Sequence, residues 1–147
     1  MPKQDGTEPI EDDEILFRRI PVSTNWYHKE SEHPPSPKAF QPNRNDVTGI
    51  SLFREKYKSV IEAAQGWPGK SYYVATLRAG DLRKHGIEVV PDVADAEPGH
   101  ATIPAMNAET RKSITVEERM LLLANHLCIS VEGPFESSPD PEADSPQ

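Results

Sequence analysis

The stretch 71–93, SYYVATLRAGDLRKHGIEVVPDV, constrains the fold more than any other part of the chain. Tyr73 to Leu77 concentrates β-branched and aromatic residues, Gly80-Asp81 supplies a break and a helix cap, and Gly86 ends a turn before the apolar run Ile87 to Val90. The pattern predicts strand, short helix, strand. It also predicts that the runs at 72–77 and 87–90 lie side by side in the core.

A chain of 147 residues with 35% hydrophobic content predicts one domain with one modest core. No apolar run reaches the roughly 18–20 residues that cross a bilayer. The start, MPKQDGTEPIEDDE, lacks the apolar stretch of a secretory signal, so the expectation is a cytoplasmic protein without a membrane partner. The lone Cys128 excludes an internal disulfide and any multi-cysteine zinc site, and reads as a small buried apolar residue.

Net charge is −8, but residues 1–14 account for −5 and residues 136–147 for −4, which leaves +1 on the body. Both ends combine acids with little to bury, so they predict disordered acidic tails, 1–14 and 136–147, around a single domain at 15–135. A neutral body gives no general argument about an anionic ligand. Local clusters decide.

Ile15 to Ile20, ILFRRI, predicts a strand closed by Pro21. Its adjacent arginines must point to opposite faces. Either their stems cover apolar surface on an edge strand, or one of them binds an anion. A long proline-rich loop follows at 22–45, pinned by Trp26, Tyr27 and Phe40, and its length suggests a lid or a partner-binding segment. His28 and His33 lack the spacing of paired helical ligands, so no metal is expected.

Phe53, Tyr57, Val60, Ile61 and Ala64 fit one helical stripe, which predicts a helix over 53–64 with Ser51 as its N-cap. Ala101 to Ile103 reads as a short strand. Thr115 and Glu118 form a capping box before a second helix with Val116, Met120, Leu123, Ala124 and Leu127 on one face. Cys128 to Val131 reads as a last strand, ended by Gly133-Pro134. The predicted class is α+β, a small mixed or antiparallel sheet with two main helices.

Signatures for phosphate-cradling loops, nucleophile elbows and zinc hydrolases are all missing from the sequence. The basic pairs Arg18-Arg19, Arg83-Lys84 and Arg111-Lys112 are separated and interleaved with acids, which argues against nucleic-acid binding unless folding gathers arginines such as Arg18, Arg54, Arg78 and Arg83. The leading expectation is a binding or protein-interaction module, with no cofactor, that takes a protein partner or a small anionic ligand through Arg18, Arg19, Ser51, Arg54 and Arg78. An antitoxin-like or regulatory partner that uses its acidic tails against a basic protein is an alternative.

One order of elements suggests an enzyme. An arginine-bearing strand (LFRRI), a long loop, a Gly-Ile-Ser element leading on (GISLFREKYKSVIEAA), a strand (YYVATL) and an acidic segment (IEVVPDVADAEPGH) follow each other over residues 15–103. This order resembles that of ADP-ribosyltransferase domains. The resemblance implies NAD as cofactor, Arg18 on its phosphates or ribose, Ser51 near the nicotinamide, and Glu88, Glu97 or His100 in the place of the family's glutamate.

Overall fold

The computed structural model describes residues 6–27, 35–92 and 98–138. Six strands form one sheet: β1 (Ile15–Pro21), β2 (Ile50–Arg54), β3 (Ser71–Arg78), β4 (Val90–Pro91), β5 (His100–Ile103) and β6 (Ser130–Glu136). Their order is β4-β5-β2-β1-β3-β6, and every neighbouring pair runs antiparallel. The helices are α1 (Val60–Ala63), α2 (Ala79–Lys84) and α3 (Ile114–Leu122), the last continued by a wider turn over Leu123–Leu127. The architecture is α+β with the sheet dominant. No helix among the described residues is long and apolar enough to cross a membrane.

Both faces of the sheet are packed, unequally. Leu16, Ile20, Ile50, Leu52, Tyr73, Ala75 and Leu77 meet Phe40, Leu82, Val116 and Leu123 in the larger core. On the other face, Phe17, Tyr72 and Val74 meet Ala63 and Ala64 at the end of α1 in a smaller cluster. Strict alternation along β1 therefore sends Arg18 and Arg19 to opposite faces, as the period of two requires. The strand carrying them is interior rather than an edge, with β2 on one side and β3 on the other.

Four sequence expectations change. Residues 50–54 are a strand, not a lead into a helix: Ile50, Leu52 and Arg54 are buried in alternation, and pairing with both β1 and β5 outweighs the helical spacing of the apolar residues. Only Val60–Ala63 is helical there, and its N-cap is Ser59, in a reciprocal capping box with Glu62, rather than Ser51. The helix near 114 likewise starts from Ser113, whose hydroxyl accepts the Val116 amide at 3.2 Å, and not from Thr115. Finally, the runs at 72–77 and 87–90 are not neighbours. β3 lies between β1 and β6, whereas Ile87 and Val89 are buried outside the strands and β4 sits at the far edge.

The chain ends also differ from free tails. Residues 6–14 lie on the body because Arg54, fully buried, draws them in. Its guanidinium donates to Glu14 at 2.5 and 2.9 Å and to the carbonyls of Gly6 and Glu8 at 3.2 and 3.1 Å. Burial alone would lower the Arg54 pKa, but the hydrogen bonds and charges of Glu14 and Glu8 outweigh it and raise it. At the other end Ser137 is buried, accepting the Gly66 amide at 2.7 Å and donating to Ala64. Of the expected tails 1–14 and 136–147, residues 1–5 and 139–147 lie outside the described residues.

Candidate functional site

The ladder between β1 and β2 covers two residue pairs, Leu16 with Arg54 and Phe17 with Phe53, while β1 and β3 pair over seven. Toward Pro21 the first two strands part. Arg18 spans the gap, its Nε donating to Ala39 O at 2.9 Å and its Nη1 to Ser51 O at 3.0 Å. Burial pushes this guanidinium down to about 10, with the Asp46 charge holding it up and Arg19 pressing it further down, so it stays charged at neutral pH.

Where the strands part, a cleft of about 590 Å³ opens, and Arg18, Arg19, Arg44, Arg111, Trp26, Ser51, Phe53 and Asp46 all contribute to its wall. Arg19 comes from the opposite side of β1. Its guanidinium lies 5.0 Å from the Phe53 ring centroid and 5.4 Å from that of Tyr72, and donates to Gln65 O at 2.5 Å. Stacking on rings and bonding to carbonyls fix a planar group in place.

The other two arginines arrive through one residue. Asp46 accepts the Asn43 amide on its carboxylate at 2.8 Å, and its carbonyl accepts the Ala108 amide at 2.8 Å. This clamps the 41–46 loop to the turn that carries Arg111, which itself donates to Ala108 O. Arg44 is exposed on that loop, with no ion-pair partner among the described residues. Gly49 completes the approach: its φ is +124°, and a Cβ there would stand 2.3 Å from Ile103 O.

Among the described residues the cleft thus gathers four guanidinium groups and a single carboxylate, Asp46, on a chain of net charge −8. Two rings, Trp26 and Phe53, flank the charges. Such a surface can take phosphate or carboxylate oxygens in charge-assisted hydrogen bonds and stack a planar group beside them.

Of the residues singled out from the sequence, Arg18, Arg19 and Ser51 share this cleft. Arg54 and Arg78 do not. Arg54 is consumed by the N-terminal segment, and Arg78 pairs with Asp81 at 3.2 Å. Glu88 is elsewhere, held by Arg83 at 2.7 Å, an interaction that lowers its pKa. His100 pairs with Phe53 across β5 and β2, with 6.0 Å between ring centroids, but it is not part of the cleft wall. Glu97 lies outside the described residues, as do His28 and His33. Among the described residues no group of three or more His, Cys, Asp or Glu is placed to hold a metal ion.

Arg44 and Asp46 escaped the sequence reading, and Arg111 entered it only as half of a basic pair. Nothing local marks them, because what unites them is one backbone hydrogen bond between residues 46 and 108. Comparison of the chain with protein-family models, with curated proteins and with solved structures gave no match. The geometry alone must carry the functional argument.

Proposed function

We propose that the protein is a binding module whose cleft takes a phosphate-bearing anion. One observation carries this reading: Arg18, Arg19, Arg44 and Arg111 converge, from three separate places in the sequence, on a cleft whose described residues include two aromatic rings and one carboxylate. Like charges are not brought together without an opposing interaction. Here carbonyls hold the guanidinium groups of Arg18, Arg19 and Arg111, a ring flanks Arg19, and the Asp46 carbonyl ties the loop of Arg44 to the turn of Arg111.

Calorimetric titration with pyrophosphate and with nucleoside diphosphates at low salt tests the reading. Saturable binding that weakens as salt rises is expected. Arg44→Ala and Arg111→Ala should each reduce affinity by about ten-fold, since a charge-assisted hydrogen bond is worth about 1.5–3 kcal/mol. No heat with any of these anions at millimolar concentration would refute it.

The transferase alternative draws support from Arg18 and Ser51 sharing the cleft. It requires NAD to bind and nicotinamide to be released. Among the described residues Asp46 is the one carboxylate in the cleft wall, and it is already bonded to the Asn43 amide.

A further inference from the structure

The arginine cleft does not end at Arg19. Arg19, Pro21 and Asn43 are shared with a second hollow of about 530 Å³, which continues past Gln65 to Trp67 and Tyr72. Pro21, Trp67 and Tyr72 are shared in turn with a third, of about 450 Å³, which reaches Lys70. Each hollow has the size of a small-molecule site, and the shared wall residues set the three side by side around Pro21 as a groove. Among the described residues Asp46 is the only carboxylate in these walls, whereas Arg18, Arg19, Arg44 and Arg111 stand in the first, Arg19 again in the second and Lys70 in the third.

Trp67 is the most conspicuous residue on this path. It is 77% exposed, yet its backbone is held: its amide donates to the Tyr72 hydroxyl at 2.7 Å, and the neighbouring Gly66 amide donates to Ser137. Gly66 permits this arrangement, because a Cβ there would meet the Tyr72 ring at 2.4 Å. A large ring offered to solvent on a pinned backbone is a platform.

On the basis of the anion reading above, we propose that the groove binds single-stranded nucleic acid, with phosphates on the arginine cleft and a base stacked on Trp67. Cations beside the exposed Trp67 ring, with the half-buried Trp26 and Phe53 rings further along, suit a strand whose bases are unpaired and free to stack, whereas a duplex hides its ring faces. The separation of basic pairs in the sequence loses its force as an objection, because folding brings Arg18, Arg19, Arg44 and Arg111 together.

Fluorescence polarisation with labelled oligothymidylates and oligouridylates of one to eight nucleotides, run beside pyrophosphate calorimetry, tests the proposal on the full chain. Affinity should rise with length beyond a dinucleotide, and Trp67→Ala should lower oligonucleotide affinity by roughly ten-fold while leaving pyrophosphate binding unchanged. Circular dichroism verifies that this surface variant is folded. Pyrophosphate binding with no gain from length, equal affinity for a free dinucleotide and the octamer, tighter binding of duplex or of an acidic peptide, or an indifferent Trp67→Ala would each overturn the proposal and leave the anion cleft standing. Absence of pyrophosphate binding would remove both.

Discussion

Glu14→Gln takes away the charge facing Arg54 while keeping the size of the side chain. Arg54 is fully buried, and Glu14 is its bidentate partner at 2.5 and 2.9 Å. Removing one partner of a buried pair costs about 3–5 kcal/mol, because the remaining charge is left without compensation. Arg54 would still have the Gly6 and Glu8 carbonyls and the Glu8 carboxylate at 3.7 Å, which places the expected loss near the low end, about 3 kcal/mol. For a chain of this length that corresponds to a fall in Tm of about 6–12 °C. Urea unfolding followed by circular dichroism measures the loss directly, with the midpoint moving by about 1–3 M. Glu88→Gln is the control: Glu88 is 63% exposed and its pair with Arg83 should be worth at most about 1 kcal/mol. If Glu14→Gln costs no more than Glu88→Gln, the argument that Arg54 holds the N-terminal segment in place is wrong.

Three further outcomes are expected. The Tyr57 hydroxyl, chiefly, holds the Glu8 carboxyl down to about 2 from its ordinary 4.5, so the stability this group provides is complete above pH 4.5 and disappears as pH falls toward 2. Glu8→Gln should flatten that acid limb of the urea midpoint against pH, and a limb parallel to the wild type would contradict the assignment. Gly49→Ala should cost well over the about 1 kcal/mol expected for Gly69→Ala, because both have positive φ but only Gly49 would drive a Cβ to 2.3 Å from a backbone oxygen; equal urea midpoints would show that β2 and β5 can move apart there. Burial pushes the Cys128 thiol up to about 11, so alkylation at pH 8 should be slow in the native protein and accelerate in urea, and equal rates would show that the thiol is not shielded.

Strands rich in β-branched and aromatic residues were legible where local pattern and pairing agree, as in ILFRRI, YYVATL and the short run Ala101–Ile103. The segment 50–64 was not. Phe53, Tyr57, Val60 and Ile61 happen to fall at helical intervals, but Ile61 is 57% exposed and the inward row is Ile50, Leu52 and Arg54. Arg54 disguised that row, because a buried arginine looks like a solvated one until Glu14, forty residues away, is placed beside it. The acids of 6–14 fall within the segment 1–14 read as a disordered tail, although Glu14 and Glu8 are the counter-charges that Arg54 requires. At the site, the two arginines on β1 were visible as a pair on opposite faces. Arg44 and Arg111 were not, because their meeting depends on contacts made far apart in the chain.

The two outermost strands, β4 and β6, each contain a proline, Pro91 and Pro134, and β4 is only two residues long. Proline offers no amide to an incoming chain, and Glu132 and Glu136 on β6 repel a second copy of the same edge. Growth by sheet extension is therefore blocked at either rim, and crowded solutions of the protein should resist fibril formation without the sheet having to close into a barrel.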